Sequence, residues 1–138
     1  MKAKLIALIA LVSIAFSSCS LGDDDALEYR LQVVGITDVE ILDPFVFGQV
    51  NEIIVKYNIP NTCQKFLGFD VNRDLNQREI YVVTEYIGDP NCLEQNIPEE
   101  QSLRFLPTSN GTIVLKFYTG NNDNGEREFI EIVVDVQE

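Results

Sequence analysis

Between Asn51 and Val136 apolar and polar residues alternate at a period of two, in runs cut about every ten residues by Gly, Pro, Asn and Asp. That pattern leaves little choice of fold. A period of two puts successive side chains on opposite faces of a strand, and no stretch beyond the N-terminal leader sustains the 3.6 period and caps of a helix. Asn51 to Ile59 sets Ile53, Val55, Tyr57 and Ile59 against Glu52, Lys56 and Asn58. Thr112 to Thr119 sets Ile113, Leu115 and Phe117 inward, with Val114, Lys116 and Tyr118 outward. Arg127 to Val136 does the same with Ile130, Ile132, Val134 and Val136 against Glu131, Val133 and Asp135. In Arg78 to Ile87, Ile80, Val82, Thr84 and Tyr86 alternate with Tyr81, Val83, Glu85 and Ile87, so both faces are apolar. Such a strand belongs at the centre of a sheet or under a partner.

The remaining segments are shorter. Leu31 and Val33, then Val39 and Ile41, predict a strand pair broken at Gly35 and ended by Asp43-Pro44. Pro60-Asn61 is expected to stop the strand before it. Phe66 to Val71 reads as a strand with Leu67, Phe69 and Val71 inward, and Asn72 to Gln77 as a turn. Gly88 to Gln101, with Pro90, Cys92 and Pro98, reads as a long irregular segment before a short strand from Ser102 to Phe105. About seven short strands over roughly 100 residues predict an all-β, antiparallel sandwich with Greek-key order.

The N-terminus is of another kind. Lys2 and Lys4 precede an apolar run from Leu5 to Phe16, then Ser17, Ser18 and Cys19, the layout of a secretory leader over residues 1–18. The run is shorter than the roughly 20 apolar residues a bilayer-spanning helix requires. Phe16-Ser17-Ser18-Cys19 resembles a bacterial lipobox, which implies cleavage before Cys19 and lipidation of that residue. Asp23, Asp24 and Asp25 then resemble the acidic surface-export signal of Bacteroidota lipoproteins, and they serve equally as a charged, extended tether over residues 19–28. The resemblance implies attachment to the outer membrane, surface-exposed or periplasm-facing, with two or three acyl chains making the anchor durable.

Composition narrows the chemistry. Twenty-two Asp+Glu against ten Lys+Arg give a net charge of −12, and the leader carries two of the lysines but no acid. The mature chain is therefore more acidic still, and it repels phosphate backbones and anionic lipid, so nucleic acid is not an expected partner. There is no His, which removes the usual general base, the Ser-His-Asp and Cys-His nucleophile systems and the commonest transition-metal ligand. No catalytic residue, metal site or cofactor is expected. Cys63 and Cys92, an even pair in an exported chain, predict a disulfide. The run Gly120 to Glu126 brings Asn122, Asn124, Gly125 and Glu131 to positions of the EF-hand calcium register, but Gly120 stands where an Asp is needed and no helices flank it, so a hairpin turn is expected.

From Tyr29 to Glu138 the layout resembles the immunoglobulin-like domains of small Bacteroidota lipoproteins. With the lipobox, it implies a lipid-anchored, non-enzymatic module of the cell envelope that binds another protein or joins an envelope assembly. An alternative is a module that captures glycans or small ligands, with Tyr81, Tyr86 or Tyr118 as stacking surfaces. Phe45 and Phe47, in a loop, and Tyr81 and Tyr118, on minor strand faces, are the candidate interaction residues. The competing reading has such groups as ordinary exposed apolar residues, with Phe45 or Phe47 plugging one end of the core.

Overall fold

The computed structural model describes residues 27–138; the leader, Cys19 and the Asp23 to Asp25 cluster lie outside the described residues. Eight strands form two packed sheets: β1 (Tyr29–Val34), β2 (Ile36–Ile41), β3 (Asn51–Asn61), β4 (Gln64–Asp74), β5 (Gln77–Ile87), β6 (Glu94–Phe105), β7 (Gly111–Asn121) and β8 (Arg127–Val136). Among the described residues no helix is long and apolar enough to cross a membrane. One sheet runs β1-β5-β7-β8 with β4 on the other side of β5, and the second runs β2-β3-β6. The core between them takes the residues the alternation places inward, including Ile53, Val55, Tyr57, Ile80, Val82, Ile113, Leu115 and Phe117. β5, apolar on both faces, is central: it pairs with β4, β1 and β7.

The chain changes sheet four times. The first lies between β1 and β2 at Gly35, where a Cβ would collide with the Thr119 carbonyl, so only glycine permits so close a passage. β3 crosses to β4 through Thr62 and Cys63, and β5 crosses to β6 through residues 88–93. Cys63 and Cys92 are disulfide-bonded with their Cα atoms 5.5 Å apart, which joins these two crossings directly. The fourth change leads from β6 to β7 at the opposite end.

The eight strands agree with the expected sandwich of about seven, the pair around Gly35 being divided between the two sheets. Four expectations are corrected. β3 continues through Pro60 to Asn61, its ladder shifting by a bulge between Ile59 and Asn61. The segment read as irregular up to Gln101 is strand from Glu94 onward, paired with β3 from Asn61↔Glu94 to Asn51↔Phe105. β6 is an edge strand, where Pro98 is tolerated and polar side chains meet solvent, so the apolar alternation fails as a signal there. In β4 a bulge between Phe66 and Gly68 reverses the facing: Phe66 packs on the core, 6.1 Å from the Tyr57 ring, and Leu67 is 50 % exposed. Finally, the pairing is not wholly antiparallel, since β5 and β7 run parallel over Gln77↔Val114 to Ile80↔Phe117.

Candidate functional site

The outward faces of the two sheets differ in kind. On the three-stranded sheet the outer side chains are, Ile54 apart, mostly charged or polar: Lys56 of β3 sits 3.3 Å from Asp38 and 3.7 Å from Glu40 of β2, and Glu52, Glu100 and Arg104 lie exposed along the same strands. This is the ordinary solvent side of an antiparallel sheet. The other sheet presents apolar and aromatic groups from every one of its strands. β1 contributes Leu31 and Val33, β4 Leu67, β5 Tyr81 and Val83, β7 Val114 and Tyr118, and β8 Phe129 and Val133.

Three rings form the centre of that face. The β7–β8 ladder opposes Tyr118 to Phe129, and the parallel β5–β7 register brings Tyr81 beside Tyr118. Ring centroids lie 5.3 Å apart for Tyr81 and Tyr118, 6.0 Å for Tyr118 and Phe129, and 6.1 Å for Tyr81 and Phe129, the last two edge-on. Each such contact is worth roughly 0.5–1.5 kcal/mol beyond its buried area.

Charged groups frame the rings. The Tyr81 hydroxyl donates to Glu79 at 2.9 Å and accepts from Arg127 at 2.8 Å, with Arg127 and Glu79 3.8 Å apart. Its pKa is raised above the ordinary phenol value, first by burial and then by the hydrogen bond to Glu79. Lys116 stands 4.9 Å over the Phe129 ring and 3.4 Å from Glu131. Tyr118 closes the rim through a hydrogen bond of 3.0 Å to Asn121.

Comparison with family models, curated proteins and solved structures finds no match. Nothing beyond the chain's own geometry therefore assigns a role to this face.

The structure brings Tyr81 and Tyr118 together and separates them from the two loop phenylalanines. Phe45 is corrected as a surface residue: it is 2 % exposed, 5.6 Å from the Phe105 ring, and plugs the end of the core where its carbonyl accepts from Gln137 at 2.8 Å. Phe47 is exposed but lies beside Gln137, about 27 Å along β8 from Phe129 at roughly 3.4 Å per residue. Tyr86 is also apart, its ring under the Arg30 guanidinium at 4.8 Å. Phe129 is the residue that strand patterning missed. The available signal was its outward position in the same alternation as Glu131 and Val133, two residues apart along β8.

The Gly120 to Glu126 region is a hairpin connection. The Asn122 side-chain oxygen accepts from the backbone of Asn124 at 3.0 Å and Glu126 at 2.9 Å, its amide donates to the Glu126 carboxylate at 3.0 Å, and Gly125 takes a left-handed φ of 81°. These groups are engaged by the turn itself. Among the described residues no cluster of three or more His, Cys, Asp or Glu side chains could hold a metal ion.

Proposed function

We propose that the protein is a lipid-anchored, non-enzymatic module of the cell envelope whose immunoglobulin-like sandwich engages another protein through the aromatic face centred on Tyr81, Tyr118 and Phe129. The observation that carries this reading is the contrast between the two outer faces: one polar and one apolar across all five of its strands. An apolar patch rimmed by Lys116, Arg127 and Glu79 has the composition of a protein-binding surface, with aromatic residues at the centre and Arg and other charges at the edge. The lipobox-like Phe16 to Cys19 supplies the anchor in this reading, and Leu27, the first described residue, lies at the disulfide end, where Gly88 donates to the Glu28 carbonyl at 2.7 Å.

Two measurements test it. A fatty-acid analogue should label the wild-type chain and not Cys19→Ala; a wild type that takes up no label removes the anchor. A photo-crosslinker at Val133, beside the rings, should give a discrete adduct in cells that Tyr118→Ala abolishes. Absence of any adduct at Val133, with the protein folded and present, removes the interaction face.

Hydroxyls and charges around exposed rings also favour a second reading, a glycan-binding module for nutrient capture, since sugars stack on aromatic faces and hydrogen-bond at the rim. Specific signals on a glycan array that disappear in Tyr81→Ala would select it over the first.

A further inference from the structure

At the end of the sandwich opposite the disulfide lies a hollow of about 210 Å³, whose walls include Val71, Leu103, Phe105 and Ile113, into which Arg73 and Arg78 face and which Arg104, opposite Glu52 on the outer face of β6, borders at the edge. Two inward arginines at one hollow are unexpected in a chain with 22 Asp+Glu and 10 Lys+Arg. Arg73 and Arg78 are directly opposed in the β4–β5 ladder, the arrangement in which like charges on neighbouring strands repel. Both continue the inward series of their strands, Phe69 and Val71 in β4 and Ile80 and Val82 in β5, so the repulsion is directed into the mouth of the core.

Among the described residues, Arg30, Lys56, Lys116 and Arg127 each lie within ion-pair distance of a carboxylate, while the exposed Lys65 does not. Among the described residues no carboxylate is found within that distance of Arg73, Arg78 or Arg104. Arg78 makes two hydrogen bonds, both to backbone carbonyls, of Leu75 at 2.8 Å and Gln77 at 2.7 Å, which hold its guanidinium at the β4–β5 turn.

We infer that this hollow is a binding site for a small amphipathic carboxylate, its anionic end held by Arg73 and Arg78 with Arg104 at the rim, and its short apolar tail against Leu103, Phe105 and Ile113. A guanidinium is a planar fork that meets a carboxylate through two parallel hydrogen bonds, and its charge survives at any working pH. An anion there relieves the Arg73–Arg78 repulsion at the same time as it makes its own bonds. The volume is below the roughly 300–1,000 Å³ of sites for drug-sized ligands, which restricts the occupant to a small acid. The site is independent of the aromatic face, being at the far end of the sandwich and lined by none of its three rings.

The test is a chemical-shift titration of the ¹⁵N-labelled protein with hexanoate, with hexanol as the uncharged probe. Hexanoate should saturably shift the amides of Val71 to Asp74 and Leu103 to Thr108, and it should bind at least about tenfold more tightly than hexanol, because only the acid makes charge-assisted hydrogen bonds. Arg73→Gln and Arg104→Gln, combined, should weaken hexanoate by about tenfold or more while the remaining spectrum stays that of the folded protein, and should leave hexanol unchanged. Arg78 is left in place because it holds the turn. Equal affinity for acid and alcohol would overturn the proposal, as would a double variant that binds hexanoate like the wild type, or shifts confined to the Tyr118 face.

Discussion

At one end of the sandwich two sheet crossings are tied to each other: the Cys63–Cys92 bond is flanked by hydrogen bonds from Thr62 N to the Leu93 carbonyl at 3.1 Å, from Leu93 N to the Thr62 hydroxyl at 3.0 Å and from Ile87 N to the Cys63 carbonyl at 3.2 Å. At the other end the connections 42–50 and 106–110 carry no cross-link and are held by a buried Phe45, by Pro107 and by backbone bonds to Gln137. The first end gains stability mainly by restricting the unfolded chain, the second only through burial in the folded one. The end adjoining the N-terminal segment is thus covalently closed. The distal end, free of any staple, carries the arginine-lined hollow.

The largest expected effect breaks the distal end. Phe45→Ala should cost about 3–5 kcal/mol, because it removes a buried ring and leaves a cavity against Phe105 that the core cannot fully collapse into; urea denaturation of the variant measures it. Replacing both Cys63 and Cys92 by Ser should come next. Opening a loop of 29 residues costs about 3.5 kcal/mol by chain entropy, and the wild type in strong reductant should approach the same midpoint. Hydrogen exchange should separate the two variants. The Ser pair should lose protection first at Ile87 and Thr62, and Phe45→Ala first at Phe47 and Gln137.

Between the ends, Tyr57 reports on the interior. It is 1 % exposed and its hydroxyl has no hydrogen-bond partner within normal geometry. Burial first, and the Glu99 charge second, push its pKa up to about 12 from 10. The neutral phenol is favoured in the folded state, so its contribution is fully present below pH 10 and is lost as pH rises from 10 towards 12, where the unfolded chain gives up the proton first. A phenolate absorbance titration should show a tyrosine that is absent from Tyr57→Phe ionising above the ordinary phenol value of 10, and the denaturation midpoint should fall over the same interval. A Tyr57 that titrates at the ordinary phenol value would show the interior to be open to water.

The smallest effect has the opposite sign. Arg73→Gln removes one of two opposed like charges and should raise stability by about 0.2–1 kcal/mol at low salt, less at high salt, since both groups are near solvent. A loss of stability on this substitution would show that Arg73 has a structural partner and is not held for a ligand.

Much of the sandwich was legible in the chain because β3, β5, β7 and β8 each bury one face, and burying one face imposes the period of two. β6 was half hidden. Its inward positions include Glu99 and Gln101 at an exposed edge, so the hydrophobic contrast vanishes although the backbone pairs throughout. Leu67 misled because a bulge changes which face a residue takes without leaving a mark in apolar content. Phe45 and Phe47 are two residues apart in one loop, and composition cannot say which of them fills the core.

The sequence alone determined that the chain is all-β, and it pointed to a Cys63–Cys92 pair and to a β5 at the centre of a sheet or under a partner, because each follows from local alternation or from residue chemistry. Tertiary structure alone decided that β5 and β7 run parallel, that Tyr81, Tyr118 and Phe129 share one cluster, and that Arg73, Arg78 and Arg104 share one hollow. Tyr81 lies 37 positions from Tyr118 and 48 from Phe129, and Arg73 lies 31 from Arg104. Such contacts are set by which strands become neighbours across a sheet, a choice made by the packing of the whole core and written in no single segment.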